Sequence, residues 1–142
     1  MAHRAVQQLL ASLEDGYRKA AWHGPNLRMS LRGVTHEHAA WRPVPGAHNI
    51  WEYALHCAYW KFAVRRRLTG DTSAAFAVPG HNFFQRPPAI GDNELLAAEW
   101  RRDIALLARA HKELYATVAE LRDAALDRRS AGSQQTPRKM IE

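Results

Sequence analysis

Residues 50–69 constrain the fold more than any other part of the sequence, because they are apolar on almost every side of a helix. Asn49 fits the N-cap position, Glu52 is placed to reach back to the Asn49 amide in a capping box, and Gly70 fits the C-terminal stop. A helix without a polar face needs neighbours all round. The segment therefore predicts a central helix in an all-α bundle. Its apolar residues are Ile50, Trp51, Tyr53, Ala54, Leu55, Cys57, Ala58, Tyr59, Trp60, Phe62, Ala63 and Val64.

The N-terminal part of the chain predicts a first helix with an interruption. Apolar residues recur at helical spacing from about residue 3 into the twenties. Pro25 cannot donate a backbone hydrogen bond, so we expect a kink or a restart, with Pro25 near the first position of the new piece. Thr35 is predicted to cap a short turn over residues 36–41.

The C-terminal half predicts one long helix and the beginning of another. Asp92 is a suitable N-cap for a helix over residues 93–126, whose apolar residues alternate by four and three along one seam. After a polar linker, Thr136 and Pro137 have the residue types of an N-cap and a first helical position. The sequence then supplies fewer than two turns before Glu142. We therefore expect a truncated fourth helix here. The uncovered side of the central helix could be covered by a natural protein that continues, which we favour, by a second chain docked against it, or by this short segment packed across it.

Length and composition favour a single domain over residues 1–142. One cysteine excludes an internal disulfide, and the sequence has neither a secretory signal nor an apolar run long enough to span a membrane. We therefore expect a cytoplasmic protein. The net charge of +6 is scattered over several segments without a nucleic-acid motif. This pattern predicts a solvated basic surface and no sequence-specific recognition of nucleic acid.

The few polar residues on the central helix point to its chemistry. His56 lies four residues after Glu52, where an imidazole needs partners, and it is either a hydrogen-bonded core residue or a ligand of a divalent metal. Either interpretation predicts an inward side chain, within reach of Glu52 or of a site between helices. His111, on the seam of the long helix, has the same two interpretations. His48 is expected near Tyr53 or at the mouth of a pocket.

The connection over residues 71–91 is long and aromatic, which is typical of lids and binding loops, although it could simply cover one end of the core. Phe83 and Phe84 on this connection, together with Trp60, are candidates to line a pocket for a substrate or cofactor. The chain has no glycine-rich phosphate loop, no cysteine pair and no serine elbow motif. Hydrolysis by a nucleophilic triad therefore has no support.

Three runs of residues resemble the DinB/YfiT-like damage-inducible family. The first is Gly46-Ala47-His48-Asn49-Ile50-Trp51-Glu52-Tyr53-Ala54-Leu55-His56, followed by Ala58-Tyr59-Trp60 and Arg67-Leu68-Thr69-Gly70. The second is Gly16-Tyr17 with Ala21-Trp22-His23-Gly24-Pro25-Asn26-Leu27, and the third is Trp100-Arg101-Arg102-Asp103-Ile104 with Leu107, His111 and Leu114. Their order and spacing span almost the whole chain.

The resemblance implies a four-helix bundle with an up-down-down-up arrangement, often dimeric. It also implies a divalent metal, commonly zinc or nickel, on three histidines, one of which matches His56. The other two are a pair spaced four residues apart on the fourth helix, and this sequence ends before that pair. We therefore expect weak metal binding, or binding with ligands borrowed from a second chain, His48 or His111.

The resemblance implies a metal-dependent enzyme, either a thiol-dependent S-transferase or a hydrolase of small molecules. His56 is then the metal ligand, with Glu52 as an acid/base or supporting partner and His48 as a further catalytic or pocket residue. A low-molecular-weight thiol or another small molecule is the expected ligand, and a homodimer the expected assembly. The alternative is a non-catalytic, dimeric stress-response bundle with an incomplete metal site. A basic nucleic-acid binder is a third, weaker interpretation.

Overall fold

The computed structural model describes residues 3–19, 22, 24–88, 91–129 and 133–142, and the elements that these residues form are all helices. None of the helices in these ranges is both long and apolar enough to cross a membrane. The elements are α1 (Arg4–Tyr17), α2 (Leu27–Leu31), α3 (His36–Ala40), α4 (Ile50–Thr69), α5 (Asn93–Ala119), a 3-10 turn (Asp123–Ala125) and α6 (Pro137–Ile141).

Helix α4 has the predicted bounds, and both of its ends have the predicted residues. The Asn49 side chain accepts the backbone N–H of Glu52 at 2.8 Å, and Gly70 adopts a left-handed conformation with φ of 70°. The second half of the expected capping box is wrong, because the Glu52 carboxylate bonds to other groups. The helix is also less enclosed than its composition indicates, since Tyr53 is 53% and Trp60 37% exposed.

Three further predicted helix starts are confirmed as well. Thr35, Asp92 and Thr136 each accept a backbone N–H three residues later, which satisfies one of the free donors of a first helical turn. Pro137 occupies the first position of α6, where its missing N–H costs nothing.

Helix α1 is shorter than predicted. It ends at Tyr17, where the next two backbone N–H groups both bond to the Glu14 carbonyl, and the part of the prediction at residues 20–21 lies outside the described residues. Asn26, not Pro25, starts the second piece, because its side chain accepts a backbone N–H of α2. Pro25 therefore precedes the cap instead of occupying the first helical position.

Helix α5 ends at Ala119, seven residues before the predicted end. The reason is a tertiary contact, since the Asp123 carboxylate accepts the backbone N–H groups of Ala5 and Val6, at 3.2 and 3.0 Å, at the start of α1. The 3-10 turn that carries Asp123 places Leu126 in the core, where it is completely buried. The apolar seam therefore continues beyond α5, although the helix does not.

The contacts between the long helices fix their directions. Trp51 packs against Trp100 near the start of both α4 and α5, and Lys61 contacts His111 further along both, so these two helices run parallel. Helix α1 runs the opposite way, because its first turn lies at the C-terminal end of α5 while Glu14 reaches His111. Helix α6 contacts α1 and α4.

Candidate functional site

The polar side chains that the sequence predicts to take part in binding or catalysis lie along one face of the first turns of α4. His48, Glu52 and His56 are spaced by four residues, which aligns them along this face. The connection between α4 and α5 forms no helix or strand in its described part and covers the face with residues 82–86. The candidate site is thus the contact between the first two turns of α4 and this segment.

Glu52 is the buried anchor of the site, with 4% of its surface exposed. Its carboxylate accepts two hydrogen bonds from the Arg42 guanidinium, one from His48 Nδ1 at 2.8 Å and one from the Arg86 backbone N–H at 3.2 Å. The bonds from Arg42, with those from His48 and Arg86, outweigh the effect of burial and lower the pKa of Glu52 to about 2. Glu52 is therefore ionised at neutral pH, and its carboxylate ties Arg42, His48 and the connection to α4.

Arg86 fastens the connection to the rest of the fold. Its guanidinium donates to Asp103 Oδ2 at 2.8 Å, and the same oxygen accepts the Trp51 indole N–H at 2.8 Å. Its carbonyl accepts from Arg42 at 3.0 Å and from the Asn49 amide at 2.9 Å. Because the Arg86 side chain is only 7% exposed, these bonds hold the connection firmly on α4 and α5.

Sequence reasoning missed Arg42, Arg86 and Asp103. The only signal was local, since each arginine directly precedes a proline in a stretch predicted to be extended or irregular. The side-chain and carbonyl partners described above lie between 10 and 52 residues away in sequence, a separation that periodicity does not detect.

His56 is oriented by the connection and not by Glu52. Its Nδ1 lies 2.9 Å from the carbonyl oxygen of Asn82. A carbonyl only accepts, so Nδ1 carries a proton, and in the neutral ring Nε2 then keeps its lone pair. Asn82 has a positive φ of 66° and also accepts the indole N–H of Trp60 at 3.0 Å through its side chain. One loop residue therefore fixes both the tautomer of His56 and the position of Trp60, which lies edge-on to the imidazole.

Phe83 lies between the two histidines of this face. Its ring stacks on His48 with a centroid distance of 3.7 Å and on His56 with one of 4.1 Å, both nearly parallel. Two imidazoles cannot occupy the same side of one ring at these distances, so Phe83 separates them. His48, which also contacts Tyr53 edge-on, cannot share a metal with His56 in this arrangement. Phe84, in contrast, is buried in the core.

His111 is a satisfied core histidine in this structure. Its Nε2 donates to Glu14 at 2.8 Å, its Nδ1 accepts from Lys61 at 3.1 Å, and its ring stacks on Tyr17. Burial lowers the pKa of His111, which favours the neutral ring that these contacts require. Since both nitrogens are occupied, His111 cannot replace a missing metal ligand.

The capacity of the site for metal rests on His56. In the ranges that the structure describes, no three His, Cys, Asp or Glu side chains converge into a group that could hold a metal ion. His56 nevertheless has the usual preparation of a metal-binding histidine, with one ring nitrogen held by a carbonyl and the other available. The neighbouring Cys57 is half-buried, and burial raises the pKa of its thiol. The described residues thus fit one ligand position and not a complete site.

Comparison with known proteins gives one match. A family model described as the DinB superfamily matches residues 19–142, which include every element from α2 to α6. No curated protein and no solved structure matches the chain significantly.

Proposed function

The chain belongs to the DinB superfamily, and we propose that it acts as a metal-dependent enzyme on small molecules, with His56 as the metal ligand that α4 contributes. The observation that carries the proposal is the bond from His56 Nδ1 to the Asn82 carbonyl, which leaves Nε2 available. When bound, zinc or nickel would supply Lewis acidity, which favours the deprotonated form of a thiol or of water. That chemistry suits a thiol-dependent S-transferase or a hydrolase.

The residues around His56 have distinct roles in this proposal. Asn82 orients the imidazole, and Phe83 shields one side of it from water. Trp60, at 37% exposure, borders the open side, where a small substrate can approach. Glu52 and Arg86 keep the covering segment in place without taking part in the reaction.

The proposal requires further metal ligands besides His56, and these would come from outside the residues that surround it. None of the chain's eight histidines are four residues apart, so the sequence does not contain the pair that the family resemblance places on a fourth helix. The directions of the long helices favour an up-down-down-up bundle, because α1 runs opposite to α5 while α4 and α5 run parallel. Helix α6 contacts α1 and also α4, the helix that carries His56.

The experiment is a calorimetric titration of Zn²⁺ into the purified protein and two variants. His56→Ala should abolish the binding that the wild type shows, since it removes the prepared ligand. His48→Ala is the matched control, because it deletes an imidazole of the same face that Phe83 separates from His56. Unchanged binding in His56→Ala, or an equal loss in both variants, would contradict the proposal.

A second candidate function is a non-catalytic, dimeric bundle of the stress response. It is favoured by the Phe83 ring between the two histidines, and by the full set of partners around Glu52 and His111. Exposed aromatic side chains, such as Trp41 at 66%, would suit a homodimer interface. A protein of twice the chain mass by light scattering, with no bound metal and no His56-dependent titration, would favour this function over the first.

A further inference from the structure

A groove on the other side of the molecule has no part in the proposed metal chemistry. It lies where α1, α2 and α5 meet and has a volume of about 1030 Å³. That volume is at the upper end of the range for small-molecule sites. The residues that surround His56 in the candidate site do not line this groove; they are His48, Glu52, Trp60, Asn82 and Phe83.

The rim of the groove is strongly cationic. Arg18, Arg28, Arg32, Arg101 and Lys112 line it, against a single carboxylate, that of Glu14. Glu14 is already paired with the Arg18 guanidinium at 2.5 Å, and it accepts a hydrogen bond from His111 at 2.8 Å. The other four cations are exposed and have no hydrogen bond or ion pair within the described residues. Among the residues that line the groove, these four positive charges therefore have no carboxylate paired with them, in a chain whose net charge is +6.

The floor of the groove is apolar, and its residues pack against the core. Leu107 and Tyr17 are buried in the core below it, and Ile104 and Leu31 are half-buried beside them. The positive charges of Arg28 and Arg18 partly offset the rise in pKa that burial gives Tyr17, so both guanidinium groups act on its phenol. Cations therefore surround an apolar and aromatic surface, instead of forming a solvated stripe.

We infer that this groove binds a small organic anion with an aromatic or aliphatic body, held by the apolar floor and by charge-assisted bonds from Arg28, Arg32 and Arg101. An inorganic anion would leave the floor uncovered, and a neutral apolar molecule would leave the guanidinium groups unused. Nucleic acid is disfavoured because the cations of three elements face one hollow and do not extend along a continuous surface.

The test uses two fluorescent probes that differ in charge. 8-Anilinonaphthalene-1-sulfonate has an aromatic body and a sulfonate, whereas N-phenyl-1-naphthylamine has nearly the same body without a charge. The groove variant is Arg28→Gln/Arg101→Gln, and the matched control is Arg128→Gln/Arg129→Gln, which removes the same charge from exposed residues outside the groove. Each probe is titrated into the wild type and both variants, and circular dichroism checks that the helices are retained.

We expect saturable binding of the sulfonate probe to the wild type and a loss of affinity of about tenfold in the groove variant, as two partly solvated charge-assisted bonds require. The control variant and the neutral probe should change by less than about twofold. The inference is overturned by the absence of saturable binding, by an equal loss in both variants, or by a parallel loss for the neutral probe. If the double variant is not helical, Arg101→Gln alone should still weaken the sulfonate probe by about threefold.

Discussion

The replacement Glu52→Gln should cost about 3 kcal/mol of stability at pH 7. The substitution keeps the size of the side chain and removes the charge that Arg42, His48 and the Arg86 backbone stabilise. A pKa that falls from 4.5 to about 2 on folding corresponds to about 3 kcal/mol, since each pKa unit is worth about 1.4 kcal/mol. The side chain is 5% exposed, so solvent does little to screen these contacts. In a chain of this size the melting temperature should fall by roughly 10 °C.

The sign of the pH dependence follows from the lowered pKa. The contribution of Glu52 is fully present above about pH 4.5, and it is lost as the pH falls from there towards 2. Urea unfolding of wild type and Glu52→Gln, followed by circular dichroism at several pH values, should therefore show two curves that converge in acid. Glu113→Gln, an exposed change of the same kind on α5, should have little effect. A difference below about 1 kcal/mol at pH 7, or one that is independent of pH, would refute the reasoning.

Three further variants test other parts of the structure. Gly70→Ala should cost about 1 kcal/mol in urea unfolding, because φ is +70° while no atom obstructs the new methyl group; an unchanged midpoint would contradict the left-handed stop. Phe83→Ala should accelerate the modification of His56 by diethyl pyrocarbonate, and an unchanged rate would mean that the ring does not cover the imidazole. Trp51→Phe should cost about 1–2 kcal/mol, since it removes the indole donor to buried Asp103 and leaves that oxygen to Arg86.

The fold could be predicted from the sequence wherever the signal was local. Asn49 and Gly70 act on the turns beside them, so the bounds of α4 were correct, as were the other capped starts. The predicted end of α5 was wrong because a tertiary contact decides it, whereas α1 ends where two backbone N–H groups bond to the Glu14 carbonyl. Asp123 leaves the helical path to cap α1, more than a hundred residues earlier in the chain, and periodicity contains no information on that contact.

The sequence indicated which residues form the candidate site, but it did not indicate the hydrogen-bond partners of those residues. The place of His56 on a nearly apolar helix marked it as chemically informative, but nothing in the spacing indicated a bond to Asn82 instead of Glu52. The partners of Glu52 were missed for the same reason, since Arg42 and Arg86 reach it from irregular segments. Long-range contacts of loops depend on the folded arrangement of helices, which a one-dimensional pattern does not specify.

The state of the His56 ring tests the central claim most directly, because the proposed function depends on a free Nε2. Long-range ¹H–¹⁵N correlation spectra of the ¹⁵N-labelled protein distinguish the protonated from the unprotonated ring nitrogen, and the signals missing from His56→Gln identify the residue. The structure predicts a proton on Nδ1, held by the Asn82 carbonyl, and added Zn²⁺ that perturbs Nε2 first. A ring protonated at Nε2, or one whose nitrogens do not respond to Zn²⁺, would contradict the account.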